Sequence, residues 1–261
     1  MNLGLAGRGA LVLGAGSGLG AAIACALGRE GAHVVVAGRT RAGVTETAGA
    51  ITAAGSTATP LVLDLRRPET FAQAVAEGAA AAGSLDVLVN NTGGPPPGPA
   101  GGIAAEVWRE HFDAMVLSVL ALTDLVLPGM RARGWGRVLT STSSGVVVPI
   151  PQLGLSNALR ATLHGWSKTL AAEVAGDGVT VNVLVPGRIA TARTAALDAA
   201  RADREQRPVA EIEQDSRARI PVGRYGRPEE YGDAAAFLAS TRASYITGSV
   251  LRVDGGLIGA L

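Results

Sequence analysis

The stretch ALVLGAGSGLGAAIACALGREG, residues 10–31, decides the fold. It begins with an apolar run, turns at a cluster of glycines and continues with a segment whose apolar residues share one helical face. Because glycine lets the chain turn tightly and approach an anion closely, a strand, a glycine turn and a helix in this order present backbone N–H groups to a pyrophosphate. The predicted dinucleotide-binding residues here are Gly14, Gly16, Ser17, Gly18, Leu19 and Gly20.

Short apolar runs alternate with longer helix-compatible stretches along the rest of the chain. The runs cover residues 10–14, 33–38, 59–64, 86–90, 136–141, 179–184 and 249–254. The helical patterns cover 18–30, 41–54, 68–82, 106–133, 154–175 and 228–240. Nearly continuous apolar runs indicate strands buried on both faces. We therefore predict one α/β domain over residues 1–261, a Rossmann fold with a doubly wound, parallel seven-stranded sheet and helices on both faces.

Composition limits the classes of partner. Of 261 residues, 48% are hydrophobic and 17% charged, and the formal net charge is +1, so no broad basic field for nucleic acid is predicted. No apolar run reaches the ~18 residues that indicate a membrane span. The lone Cys25 excludes an internal disulfide and fits a reducing compartment. We expect a cytoplasmic protein with a small-molecule substrate and no metal site.

The second apolar run ends in Gly38, Arg39, Thr40 and Arg41, where such folds select their cofactor. A carboxylate at this point would bind the ribose hydroxyls of NAD, whereas a guanidinium pairs with the 2′-phosphate of NADP. No carboxylate is present, so Arg39 and Thr40 favour NADP(H) over NAD(H). The alternative is that Arg39 and Arg41 are solvated charges at a helix start.

Two further segments have no strand pattern. The stretch GGPPPGPAGG, residues 93–102, follows the fourth run and must be a loop. It is either a rigid apolar pocket wall or a stiff connector. Residues from about 188 to 226 are richer in charge and are predicted to form a helical excursion that could act as a lid.

Several stretches agree in order and spacing with one known family. They are residues 14–20, Asp64-Leu65, Asn90-Asn91-Thr92-Gly93, Pro186-Gly187-Arg188-Ile189-Ala190-Thr191 and the ending GRPEEYGDAAAFLAS. Between Gly9 and Leu257 the chain resembles the short-chain dehydrogenase/reductases. The resemblance implies cofactor contacts from Asp64, Leu65, Asn91, Gly93, Pro186, Gly187, Ile189 and Thr191. It also implies a homo-oligomer, a tetramer or dimer.

The catalytic positions of that family hold other residues here. The resemblance implies a Tyr acid, a Lys four residues later, a Ser and an Asn. Counted without a gap, the Tyr position is Ser156, the Lys position is Arg160 and the Asn position is Met115. The family Ser corresponds to Ser143, thirteen residues before Ser156. The neighbouring hydroxyls that stay open as alternatives are Ser141, Thr142 and Ser144.

These exchanges change the acid–base chemistry. A serine hydroxyl is a far weaker acid than a phenol of pKa ~10, and an arginine stays cationic. We expect Ser143 and Ser156 to polarise a carbonyl as hydrogen-bond donors, with Arg160 stabilising the developing alkoxide and a water delivering the proton. Arg160 is also expected to orient the hydroxyls of the nicotinamide ribose.

His164 and Lys168 continue the four-residue spacing of Ser156 and Arg160. His164 is either part of a proton relay or, more commonly for a lone histidine on a packed helix, a structural residue. Lys168 would lie about 18 Å from Ser156 on an ideal helix, so we interpret it as a surface or interface charge.

Three functions follow from these residues. The leading expectation is an NADP-dependent carbonyl reductase of divergent active site, acting on a ketone or a 3-oxoacyl-like substrate, with B-face hydride transfer implied by the resemblance. The second is a non-redox isomerase, dehydratase or cyclase that uses the same pocket. The third is a cofactor-binding regulatory subunit without catalysis.

Overall fold

The structure is a computed structural model that describes residues 2–260. The strands are β1 (Gly9–Val12), β2 (His33–Gly38), β3 (Thr57–Val62), β4 (Val87–Asn91), β5 (Gly136–Ser141), β6 (Val179–Pro186) and β7 (Val250–Val253). They form one sheet in the order β3-β2-β1-β4-β5-β6-β7, and every neighbouring pair is parallel. The predicted doubly wound, seven-stranded parallel sheet is confirmed.

The helices fill the connections between the strands. They are α1 (Gly18–Arg29), α2 (Arg41–Ala53), α3 (Phe71–Ala82), α4 (Ala105–Phe112), α5 (Ser118–Ala132), α6 (Gly154–Val174), α7 (Ala192–Glu205), α8 (Val209–Ala218) and α9 (Pro228–Ala239). The excursion expected over 188–226 contains two of them, α7 and α8.

One predicted helix differs from the structure. The sequence pattern gives a single helix over 106–133, whereas α4 and α5 are separated by a π-helical segment, Asp113–Leu117. A π turn keeps the chain helical and inserts one extra residue, so the apolar spacing on either side still reads as one helix.

Strand residues alternate between two cores. Val34 and Val36 of β2 pack with α1, α2 and α9 on one face of the sheet, and Val35 and Ala37 pack with the cluster of α3, α5 and α6 on the other. Both faces of the central strands are therefore buried, which explains why apolar residues predominate in them.

The stretch Ala105–Ala132 is long and apolar enough to cross a membrane by length and composition alone. Its Leu122, Val126 and Met130 are buried against the sheet, as in a core helix. Core helices pass the same test, so the stretch is weak evidence for a membrane span.

The sheet order reverses between β1 and β4, which lie side by side although β2 and β3 separate them in the chain. Connections from β1 and β4 leave in opposite directions at this point, and a crevice opens at the carboxyl ends of the strands. The loops after β1, β4, β5 and β6 all begin at this edge of the sheet.

Candidate active site

The loop between β1 and α1 is shaped by its glycines. Gly14 and Gly18 have φ of +59° and +55°, a region that favours glycine. A Cβ on Gly20 would lie 2.2 Å from the carbonyl oxygen of Gly14, so no larger residue fits there. Ser17, the N-cap of α1, makes no side-chain cap bond. The first N–H groups of α1 thus face an exposed cradle that fits a pyrophosphate.

Asn91 fastens this loop to β4. Its Nδ2 donates to the carbonyl oxygens of Leu13 and Gly14, both at 3.3 Å. The amide that the resemblance assigns to cofactor contact is therefore used to hold the glycine loop in place.

The segment after β6 closes over the same loop. A Cβ on Gly18 would lie 3.8 Å from the side chain of Thr191, which caps α7 by accepting a hydrogen bond from the backbone N–H of Thr194. Gly187 packs against the backbone of Asp254, where a Cβ would come within 2.5 Å. Ile189 is buried, and Pro186 is the last residue of β6. Thr191 therefore lies beside the glycine loop.

Positive charge surrounds the end of β2. Arg39 and Thr40 are exposed, and Arg39 has no acidic partner within residues 2–260. Asp64 is paired with Arg66, whose Nη2 lies 2.6 Å from Oδ2. Hydrogen bonding from Arg66, with a further contribution from Arg39, lowers the pKa of Asp64. Leu65 is half-buried beside this pair. The carboxylate of Asp64 is thus paired with Arg66.

The four hydroxyls at the end of β5 have different partners in the structure. Ser141 is buried and shares a hydrogen bond of 2.9 Å with the Tyr231 hydroxyl. Thr142 shares one of 2.9 Å with Nε2 of His164. Ser144 is buried. Ser143 is half-buried, and its Oγ accepts from the backbone N–H of Gly145 at 3.1 Å, so its own proton stays available for donation.

Two of the expected residues lie on α6. Ser156 is buried, and its hydroxyl has no hydrogen-bond partner within residues 2–260. Arg160 is buried and donates to the carbonyl oxygens of Thr92 at 3.2 Å, Gly93 at 3.1 Å and Ser141 at 3.4 Å. It thereby links the ends of β4 and β5. Burial lowers the pKa of Arg160 to about 10, so the guanidinium is still protonated near neutral pH.

The remaining residues of α6 lie away from this point. The helix contains no tyrosine, and its one lysine, Lys168, is exposed and donates to the carbonyl of Gly248 at 3.0 Å. Burial lowers the pKa of His164, which favours the neutral ring that bonds Thr142. This geometry matches the structural interpretation of His164.

The π-helical segment places Met115 against α6. Met115 is buried with Leu155, Leu159 and Leu163 in a small apolar cluster. A thioether holds no exchangeable proton, so no proton path runs through this position.

Tyr231 is a residue that sequence reasoning did not connect with the site. It lies on α9, fully buried, and its hydroxyl donates to the carbonyl of Leu184 at 3.3 Å besides its bond to Ser141. Burial raises the pKa of Tyr231. The sequence pattern does not indicate the contact between Tyr231 and Ser141, because the two residues are 90 positions apart in the chain.

The loop 93–102 packs on the start of α6 and on the excursion. Gly98 exchanges backbone hydrogen bonds with Gln152 at 2.7 Å and Gly154 at 3.3 Å. Arg193 of α7 donates to the carbonyl of Pro95 at 2.8 Å. The proline-rich loop is therefore held from two sides, and its role as a pocket wall or a stiff connector stays a prediction.

The excursion is anchored by one buried carboxylate. Asp198 of α7 accepts hydrogen bonds from Arg188 and from the Tyr225 hydroxyl, the latter at 2.8 Å. These contacts connect α7 to both ends of the excursion. Movement of the excursion as a lid stays a prediction.

Comparison with known proteins gives the family. A family model described as enoyl-(acyl carrier protein) reductase matches residues 14–258. The chain is 35% identical to the 3-oxoacyl acyl-carrier-protein reductase of Escherichia coli over 253 residues, which cover 96% of this chain and 97% of that protein.

Two solved structures are similar over the full length of both chains. One is a protein of Beutenbergia cavernae provisionally named an NAD(P)-dependent gluconate 5-dehydrogenase, with bound NADP, at 40% identity and a TM-score of 0.90. The other is the L-sorbose reductase of Gluconobacter frateurii in complex with NADPH and L-sorbose, at 32% identity and a TM-score of 0.93. The relatives are oxidoreductases, and the chain belongs to the short-chain dehydrogenase/reductase family.

Proposed function

We propose that the protein is an NADP-dependent reductase that converts a ketone or a 3-oxoacyl-like carbonyl to an alcohol. The observation that carries the proposal is the position of Arg160, which brings a buried positive charge to the edge where the glycine loop and Ser143 also lie. Relatives that reduce 3-oxoacyl groups or L-sorbose support the choice of a carbonyl substrate.

The preference for NADP rests on the charges after β2. Within residues 2–260 the guanidinium of Arg39 has no acidic partner, and Asp64, which could bind ribose hydroxyls, is paired with Arg66. The guanidinium of Arg39 could pair with a 2′-phosphate, and the charge of the Asp64 carboxylate is balanced by Arg66. NADP or NADPH bound to similar structures supports this assignment.

Replacing Arg39 by aspartate is expected to reverse the preference between the two cofactors. The variant removes a charge-assisted hydrogen bond and adds repulsion to the phosphate, so NADPH should bind about tenfold to a hundredfold more weakly. Titration of each cofactor by protein fluorescence measures the change. Arg242→Asp is the matched control, since Arg242 follows α9 and donates to the carbonyl oxygen of Asn2, outside the glycine loop and the end of β2. An unchanged NADPH/NADH ratio in Arg39→Asp would move the phosphate contact elsewhere.

Three side chains of the protein would act on the substrate carbonyl during reduction. Bound NADPH would supply a hydride. Ser143 and Ser156 donate hydrogen bonds to the carbonyl oxygen, and the charge of Arg160 stabilises the alkoxide as it develops. A water molecule delivers the proton, because neither serine nor Met115 replaces a phenol as acid.

Tyr231 does not take over as the missing acid, because its hydroxyl is buried and committed to Ser141 and Leu184. Tyr231→Phe is expected to lower the free energy of unfolding by about 1 kcal/mol through the lost hydrogen bonds. The rate of ketone reduction should stay within about twofold of the wild type, since no substrate contact is lost. Urea denaturation and steady-state kinetics give the two values. A large fall in kcat at unchanged stability would place Tyr231 on the proton path.

The function is tested with NADPH that carries deuterium on the B face of C4. We expect the alcohol product to contain one deuterium at the carbinol carbon. An unlabelled alcohol formed with consumption of NADPH would place the transfer on the A face of C4. An isomer formed without consumption of NADPH would instead support the non-redox function.

A homo-oligomer is proposed as well. Phe112, Leu117 and Leu125 are exposed apolar side chains along α4, α5 and the segment between them. Such side chains gain by burial against a second copy. A mass of one chain by light scattering would contradict this proposal.

A further inference from the structure

The cleft contains a second guanidinium besides that of Arg160. Arg193 lies in the first turn of α7, and its Nη2 donates to the carbonyl of Pro95. A Cβ atom built on Gly94 would lie 3.2 Å from Nη2 of Arg193 and 3.6 Å from Nη2 of Arg160. The two guanidinium groups therefore flank one small space beside Gly94.

Neither of these arginines has an acidic partner. Within residues 2–260, no Asp or Glu side chain lies within salt-bridge distance of Arg160 or Arg193, and their hydrogen bonds go to backbone carbonyls. Other arginines of the excursion are paired, as Arg188 is with Asp198 and Arg201 with Glu205. Within residues 2–260, Arg160 and Arg193 therefore place two positive charges in the cleft without a salt-bridge partner.

This arrangement is costly without an anion. Burial lowers the pKa of Arg160, and the charge of Arg193 lowers it further. Burial also lowers the pKa of Arg193. Both charged forms are therefore disfavoured in the free protein, and a negative group between them would relieve desolvation and repulsion together.

We propose that Arg160 and Arg193 bind an oxyanion carried by the substrate, in the first place a carboxylate, in the space beside Gly94. This inference rests on the proposed reductase function and names its substrate class, an oxo acid. Guanidinium groups match the planar two-oxygen acceptor of a carboxylate.

The cofactor's own phosphates are a poorer occupant of this space. The pyrophosphate cradle is the glycine loop after β1, at the start of α1. Arg160 and Arg193 instead hold the loop after β4 and the end of β5, through Gly93, Pro95 and Ser141. The pair therefore lies at the ends of β4 and β5, apart from the pyrophosphate cradle after β1.

The test compares an acid with its neutral amide. Acetoacetate and acetoacetamide are titrated calorimetrically into the protein in the presence of saturating NADP⁺, so that binding is measured without turnover. We expect the wild type to bind acetoacetate at least about tenfold more tightly than acetoacetamide. In Arg193→Gln the ratio should fall to within about twofold, because the guanidinium of Arg193 and its two parallel hydrogen bonds to the carboxylate are lost.

The matched control is Arg204→Gln, which removes the same charge from an exposed position near the end of α7 and should keep the wild-type ratio.

Inorganic phosphate is tested as a competitor; if it displaces acetoacetate from the wild type and not from Arg193→Gln, the oxyanion class includes phosphate esters. No preference for the acid in the wild type, including no binding of either compound at high millimolar concentration, overturns the proposal. The proposal is also overturned if Arg193→Gln keeps the wild-type preference for acetoacetate over acetoacetamide. Absent reduction with an intact acid preference would instead contradict the reductase function alone.

Discussion

Gly20→Ala is expected to weaken NADPH binding by at least about a hundredfold, or ~2.7 kcal/mol. The new methyl group would lie 2.2 Å from the carbonyl oxygen of Gly14 and 2.8 Å from Nδ2 of Asn91, so the glycine loop must move. Movement breaks the bonds by which Asn91 holds the loop and turns the N–H groups of α1 away from the pyrophosphate. Fluorescence titration with NADPH gives the dissociation constant.

Gly49→Ala is the control for this substitution. Gly49 lies in α2, exposed, with no atom within 4 Å of a Cβ built on it. Alanine there should stabilise the protein by about 1 kcal/mol through helix propensity and leave NADPH binding unchanged. Equal NADPH affinity in Gly20→Ala and in the wild type would show that the cofactor does not use this loop.

Arg160→Gln is expected to lower kcat/KM for ketone reduction by about 10²- to 10³-fold, the size of effect seen when one charge-stabilising donor is removed from an active site. The variant also leaves the carbonyls of Thr92, Gly93 and Ser141 without their donor, so NADPH should bind more weakly. Steady-state kinetics and NADPH titration measure the two effects.

Arg160→Lys separates charge from geometry. The lysine keeps the positive charge but loses the planar fork, so we expect a smaller fall in kcat/KM than for Arg160→Gln. If Arg160→Gln leaves both kcat/KM and the NADPH dissociation constant unchanged, Arg160 has neither role.

The sheet and the glycine loop could be predicted from the sequence because their causes are local. Strands buried on both faces are rich in apolar residues, and Gly14 and Gly18 mark backbone conformations that other residues rarely adopt. The π turn at Met115 was not predictable, since the pattern on both sides stays helical.

The candidate site could be predicted only in part, because the direction of each side chain depends on distant partners. The spacing along the sequence leaves four hydroxyl side chains at the end of β5 as candidates for the catalytic serine. The structure points Ser141 at Tyr231 and Thr142 at His164, and leaves Ser143 with a free proton. These directions follow from which helix covers each face of the sheet, which no local pattern contains.

Arg193 shows the same limit more clearly. The sequence does not predict its place in the cleft. That place depends on the contact of the excursion with Pro95 in the proline-rich loop, 98 residues earlier in the chain. The cytoplasmic location, the lid and the catalytic roles of Ser143, Ser156 and Arg160 stay predictions.

The central claim is that this cleft binds NADPH and reduces a carbonyl without a tyrosine on α6. The most direct measurement is a titration of the purified protein with NADPH and NADH, followed in the same cuvette by consumption of NADPH with a panel of ketones and oxo acids. We predict tighter binding of NADPH than of NADH and consumption of NADPH with at least one oxo acid. Tight NADPH binding without consumption across the panel would contradict the reductase and favour a regulatory or non-redox role.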